Sequence, residues 1–164
     1  MTYRQVEKAL CTGLLALACV ALAAMTLWTV VDVGTRYFIS KPLRGSIDFV
    51  ESTLVLVVFL ALPECFRRGD QITVDLFDHF AGPRTVQVLK VTGALGTIAF
   101  LAALLWTGWA PLADAWRFGD RKPDLPVPIF LLLGAIEFAL AATIVVMLGR
   151  FIELFRGLFN RAWS

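Results

Sequence analysis

Long apolar stretches separated by short charged segments dominate this chain. Two stretches of 23 consecutive residues, 9–31 and 91–113, contain no charged residue, and about 20 apolar residues suffice to cross the hydrocarbon core of a bilayer. Two further stretches, 49–66 and 126–149, are apolar apart from three glutamates. The pattern predicts an all-α integral membrane protein with four transmembrane helices.

These helices are expected to form a single membrane domain over residues 1–164. Their predicted bounds are about 9–31, 48–66, 85–110 and 127–150. The second helix would begin at Asp48, a suitable N-cap, and with about 18 residues it would barely span the bilayer. The basic and aromatic C-terminal tail, 151–164, is suited to the membrane surface.

A different apolar pattern follows the second helix. At about 100° per residue, one arc of a helical wheel holds Ile72, Thr73, Leu76, Phe77 and Phe80, and the opposite arc is mostly polar. This pattern predicts a short amphipathic helix over about 71–81 that lies along the membrane interface rather than crossing the membrane. A Gly-Pro pair at 82–83 would end it.

Composition and charge distribution agree with this topology. Hydrophobic residues make up 59% of the chain and charged residues 17%, against roughly 25% charged in an average soluble domain. Arg4 and Lys8 precede the first apolar run as in a secretory signal peptide, but the run continues to Val31, which favours an uncleaved anchor. The termini and the middle loop hold nine Lys and Arg residues and the other two loops hold six, which predicts cytoplasmic termini.

Few residues could carry out chemistry. His79 is the single histidine, so a haem held by two intramembrane histidines, a histidine-rich metal site and a Ser-His-Asp triad are excluded. No glycine-rich phosphate-binding loop is present, and the net charge of +2 does not indicate nucleic acid binding. Cys11, Cys19 and Cys65 are interpreted as small membrane-buried residues. We therefore expect no enzymatic activity, cofactor or metal.

Ridges of small residues mark two of the predicted helices. The third helix carries Gly96, Ala99, Ala103 and Thr107 at spacings of three and four, and the fourth carries Ala135, Ala139 and Thr143. Such ridges allow another helix to approach closely.

Glu137 lies near the middle of the fourth predicted helix, about 160° from its small-residue ridge. An ionised side chain at the bilayer centre costs roughly 2.5 to 3.5 kcal/mol on insertion scales, so such residues usually have a function. Three interpretations stay open: contact with a partner subunit, packing inside the chain, and coupling to a proton or ion.

The two glutamates of the second helix have local explanations. With Asp48 as N-cap, Glu51 would stand where a capping box places an acid against the free N–H groups, and a contact outside the chain is the alternative. Glu64 lies three and four residues before Arg67 and Arg68, the spacing of ion pairs on a helix.

One stretch, PLRGSIDFVESTLVLVVFLALPECFRRGDQITVDLF, resembles the signature of a known family. It contains a loop with Pro and Gly, an acid that enters the second helix, a Phe-Leu-small-residue segment, and then Arg-x-Gly-x-x-Ile-x-Val-Asp. The matching positions are Pro42, Glu51, Phe59, Leu60, Arg67 or Arg68, Gly69, Ile72, Val74 and Asp75. The chain is therefore similar to the small membrane subunit of tripartite ATP-independent periplasmic (TRAP) transporters, the DctQ-like family.

Two positions depart from the pattern of that family. The family commonly has a Trp shortly before the helix glutamate, where this chain has Asp48 and Phe49, and a His before the Ile, where this chain has Gln71. A role that needed this imidazole does not carry over, which argues against proton transfer by the motif.

The resemblance implies a transport system of three parts in the bacterial inner membrane. A periplasmic binding protein would capture an organic anion such as a carboxylate, a large membrane subunit would move it with a sodium gradient, and this chain would be the scaffold beside the large subunit, in contact with membrane lipids. Candidates for the subunit interface are Glu51, Arg67, Arg68, Gly69, Asp75 and Glu137. Candidates for the docking surface of the binding protein are Arg44, Arg117, Arg121 and Lys122.

Two other classes of protein stay open. A self-sufficient four-helix exporter could use Glu137 or Glu51 for proton coupling and would transport its substrate when reconstituted alone. A membrane anchor of a redox enzyme is disfavoured by the single histidine.

Overall fold

The computed structural model describes residues 2–40, 43–69, 83–120 and 128–162. These residues form the helices α1 (Thr2–Ile39), α2 (Ser46–Arg68), α3 (Pro83–Phe118) and α4 (Ile129–Ala162). All four are long and apolar enough to cross a membrane, which confirms the predicted all-α class with four transmembrane helices. The predicted interfacial helix, 71–81, lies outside the described residues.

The helices form an open row in the order α1, α2, α4, α3. Helix α1 packs along α2, α2 along α4, and α4 along α3, while α1 and α4 touch over a short stretch. Trp28 of α1 stacks obliquely on Phe49 near the start of α2, with ring centroids 4.9 Å apart, so α1 and α2 are antiparallel. Trp116 near the end of α3 meets Phe130 near the start of α4 edge to face at 4.8 Å, so α3 and α4 are antiparallel as well. Helices α2 and α4 are therefore parallel neighbours, and each has an antiparallel partner on its outer side.

Helix α4 is the most buried of the four, and it packs against α2 on one side and α3 on the other. Its Ala139 joins Ala18 of α1 and Leu60 of α2 in one apolar cluster. Its Leu140 and Met147 join a second cluster with α3 and with aromatic residues of α2. The small-residue ridge of α4 is thus used inside the chain: Ala139 and Thr143 have no exposed surface. The ridge of α3, by contrast, is exposed at Gly96, Ala99, Ala103 and Thr107.

The start of α2 differs from the prediction. The helix begins at Ser46, and its N-cap is Gly45, at a φ of 75° and without a side-chain capping hydrogen bond. The prediction of Asp48 as N-cap is wrong, because Asp48 lies within the first turn, where an acid still favours the positive helix end. The capping-box explanation of Glu51 fails with it. With 23 residues, or about 35 Å at 1.5 Å per residue, α2 is also long enough to span the bilayer.

Helices α3 and α4 are longer than predicted. Helix α3 continues through Pro111 to Phe118, since a transmembrane helix can tolerate the one backbone hydrogen bond that a proline removes. It ends where Gly119 adopts a left-handed φ of 63° and the Asp120 N–H donates to the Ala115 carbonyl at 3.3 Å. Helix α4 likewise runs on through most of the tail, to Ala162.

Candidate functional site

An ion cluster occupies the C-terminal end of α2. The Glu64 side chain is 3% exposed, and its two carboxylate oxygens accept hydrogen bonds from Arg67 Nε and Nη2, both at 2.6 Å. A third bond comes from Arg68 Nε at 2.7 Å. The predicted ion pairs are therefore present, and the buried carboxylate is satisfied by its own helix. The Arg68 side chain reaches outward and is 55% exposed, whereas that of Arg67 is 26% exposed.

Gly69 ends α2 and contacts α4. Its φ is 79°, and its N–H donates to the Cys65 carbonyl at 3.2 Å. A Cβ at this position would overlap the guanidinium group of Arg150, whose Cζ would lie 3.1 Å away. Glycine is thus favoured here both by the backbone conformation and by the close approach of the arginine. Sequence reasoning did not identify this contact, since Arg150 had no motif and counted only as a flanking charge.

Glu137 faces α3 rather than the outside of the row. Its carboxylate lies against Gly108, where an added Cβ would overlap Oε1 and stand 2.9 Å from Cδ. Its Oε2 is buried and has no hydrogen-bond partner among the described residues. Of the three interpretations of Glu137, this geometry favours packing inside the chain. Gly108 was not singled out from the sequence, because glycine is common in transmembrane helices.

Asp32 lies near the C-terminal end of α1, at the opposite end of the molecule from the ion cluster of Glu64. This residue is 5% exposed, and its carboxylate accepts hydrogen bonds from Arg36 Nη2 at 2.7 Å and from the Leu43 N–H at 2.9 Å. It therefore ties the end of α1 to the loop that leads into α2. The adjacent Arg44 is exposed, as is Arg117 at the end of α3.

The remaining candidates do not form one site with these groups. Glu51 is exposed on α2, well away from the ion cluster of Glu64. Asp75, Arg121 and Lys122 lie outside the described residues. Among the residues that the structure describes, no group of three or more His, Cys, Asp or Glu side chains could hold a metal ion. The three cysteines are free: Cys11 is buried inside the chain, and Cys19 and Cys65 are exposed in the isolated chain.

Four long apolar helices in an open row define a multispan membrane protein. Its buried acids Asp32 and Glu64 are each paired with arginines of their own helix. Residues 25–157 match the family described as tripartite ATP-independent periplasmic transporters, DctQ component. The match covers most of the chain, so the chain belongs to this family, the small component of TRAP transporters. No curated protein matches the chain.

Proposed function

We propose that this protein is the scaffold subunit of a TRAP transporter. It would brace the large membrane subunit during sodium-coupled uptake of a carboxylate-like organic anion that a periplasmic binding protein delivers. The protein would lie in the bacterial inner membrane with both termini in the cytoplasm. Family membership supports the assignment to a transporter, and the open row of helices is the observation that supports the scaffold role.

The open row supports a partner in the membrane because it leaves large apolar faces uncovered. Of the residues in the most apolar 18-residue stretch of each helix, only 6% are buried in α1 and 11% in α3, against 28% in α4. A self-contained transporter needs a polar path enclosed by its own helices. In the described part of the chain, Glu64 and Asp32 are both occupied by arginines, and neither lines such a path.

The candidate interface residues have different parts in this proposal. Arg67, Arg68 and Gly69 hold the end of α2 in place, so they would act on assembly by fixing the shape that the large subunit meets. Glu51, exposed in the isolated chain, and Asp75 would contact the large subunit directly. Glu137 would act from inside, through the spacing of α3 and α4.

The docking surface for the binding protein is proposed at the end that carries Asp32. Arg44 and Arg117 are both exposed there, and Arg121 and Lys122 follow α3 in the sequence. Positive side chains on an exposed rim increase the association rate of a negatively charged partner more than its final affinity.

Purification of the complex from its native operon tests the scaffold role. The tagged protein would be extracted in a mild detergent, and its bound partners identified by mass spectrometry. We expect a much larger multispan protein in a fixed ratio to this chain. A self-contained dimer of the chain alone, under conditions in which the large subunit is also expressed, would contradict the proposal.

A further inference from the structure

A basic groove lies at the end of the molecule where α1 begins and where the apolar stretches of α2 and α4 end. Its volume is about 570 Å³, within the roughly 300 to 1,000 Å³ range of small-molecule sites. Four of the residues that line it are basic and two are acidic: Arg4, Lys8, Arg67, Arg150, Glu7 and Glu153. The groove is formed by three helices, so its walls keep these charges together.

Two of the four basic side chains are committed to ion pairs. Arg4 pairs with Glu153 across the groove, and Arg67 pairs with Glu64 behind it. Lys8 and Arg150 form no ion pair with another described side chain. They lie on α1 and α4, on different walls of the groove, so both are available to one anion between them.

The position of the groove along the helices indicates which anion this is. The uncharged stretch of α1 begins directly after Lys8, and the apolar stretch of α4 ends directly before Arg150. Basic side chains at these positions stand at the level of the lipid headgroups. Beside the groove, Val6, Ile152 and Phe155 expose 60%, 49% and 52% of their surface, which is suitable for contact with acyl chains.

We propose that this groove binds the phosphodiester headgroup of an anionic phospholipid. Lys8 and Arg150 would contact the phosphate oxygens from opposite walls, and the acyl chains would lie against the exposed apolar side chains of α1 and α4. Basic pockets between transmembrane helices bind acidic headgroups in this way. An acidic protein loop fits less well, because it would place polar backbone beside Ile152 and Phe155. The site uses residues of this chain alone and does not depend on the transporter assignment.

Lipid titration of the purified full-length protein tests the proposal. The protein in neutral detergent would be titrated with phosphatidylglycerol or with phosphatidylcholine of the same acyl chains, and bound lipids counted by native mass spectrometry. We expect preferential binding of phosphatidylglycerol. Lys8→Gln should weaken that binding about fivefold, the effect of one lysine near an anionic headgroup, and Lys8→Gln with Arg150→Gln should remove the preference.

Lys90→Gln is the matched control. Lys90 is also exposed and is also predicted to lie at the cytoplasmic side of the membrane, but it belongs to α3 and does not line the groove. This variant should leave the preference unchanged. Equal binding of both lipids, or loss of the preference in the Lys90 variant as well, would overturn the proposal. Displacement of phosphatidylglycerol by equimolar inorganic phosphate would assign the groove to free phosphate instead. If both lipids bind equally, and Lys8→Gln lowers the amount of large subunit that copurifies with the tagged protein, the groove receives an acidic protein segment, and the lipid proposal is wrong.

Discussion

Gly69 shows how one residue can join two helices without a side chain of its own. Its left-handed backbone turns the chain out of α2, and the absence of a Cβ leaves room for the Arg150 guanidinium of α4. The family resemblance of the motif pointed to this glycine, whereas the structure gives its physical reason. The arginine that covers it comes from the far end of the chain, 81 residues later in sequence.

Substitution of Gly69 by alanine is expected to destabilise the protein. The left-handed conformation alone costs roughly 1 to 2 kcal/mol for a residue with a Cβ, and Arg150 would also have to move. We expect a lower midpoint of unfolding in a detergent titration. Gly13→Ala is the matched control, because nothing lies within 4 Å of a Cβ there, and it should not lower the midpoint. Equal effects of the two variants would contradict this account.

Glu64 presents a second test at the residue scale. Glu64→Gln removes the charge that two arginines share, and we expect a loss of about 1 to 3 kcal/mol in the free energy of unfolding. Breaking a fully buried pair would cost more, but both arginines reach water. Glu153→Gln breaks the exposed pair with Arg4, whose side chains are 79% and 61% exposed, and should cost less than about 1 kcal/mol. Chemical unfolding measures the free energy of unfolding of both variants. A larger loss for Glu153→Gln than for Glu64→Gln would contradict the view that the buried cluster contributes more to stability than the exposed pair.

The sequence predicts those contacts that are local along the helix. The pairing of Glu64 with Arg67 and Arg68 follows from spacings of three and four residues, and the structure confirms it. The contacts of Gly69 with Arg150 and of Gly108 with Glu137 join different helices. Their formation depends on how the helices are arranged, which a hydropathy pattern does not specify.

At the scale of the helices, the apolar pattern predicts their number and leaves their ends uncertain. All four spans are confirmed, but α2 begins two residues before Asp48 and α3 passes through Pro111. Local preferences do not decide these helix ends alone, because continuation of the helix satisfies more backbone hydrogen bonds in a membrane. The order of the helices in the row also needed the structure, because ridges of small residues occur on both α3 and α4.

The contact between α3 and α4 gives a prediction at this scale. Gly108→Ala should lower the free energy of unfolding by about 1 to 3 kcal/mol, because the added methyl group overlaps the Glu137 carboxylate. Glu137→Ala in the same protein should recover part of this loss, since it removes the overlapping group. A double-mutant cycle in detergent measures the coupling. Gly96→Ala, with open space around its Cβ, is the control, and purely additive effects of Gly108 and Glu137 substitutions would exclude the contact.

At the scale of the whole molecule, an open row of four helices is the feature that distinguishes the remaining functional classes. A row has two broad faces and two edges, and only the central helices α2 and α4 have a neighbour on both sides within the chain. The ridge of α3 stays exposed at Ala99 and Ala103, although such ridges usually receive another helix. A scaffold explains these surfaces as places for a larger partner, whereas a self-sufficient exporter would have to cover them with a second copy.

Reconstitution into vesicles separates these two classes and decides the part played by Glu137. The chain alone should not transport the ligand of the proposed binding protein, whereas the complete three-part system should take it up when a sodium gradient is imposed. Glu137→Gln keeps the size of the side chain and therefore its packing against Gly108, so the complete system carrying it should retain most of its uptake. An exporter that couples to protons through Glu137 behaves in the opposite way: the chain alone moves substrate, dissipation of a proton gradient stops it, and Glu137→Gln abolishes it. Two controls provide the baselines for both outcomes. One is empty vesicles, and the other is vesicles that contain the large subunit and the binding protein without this chain.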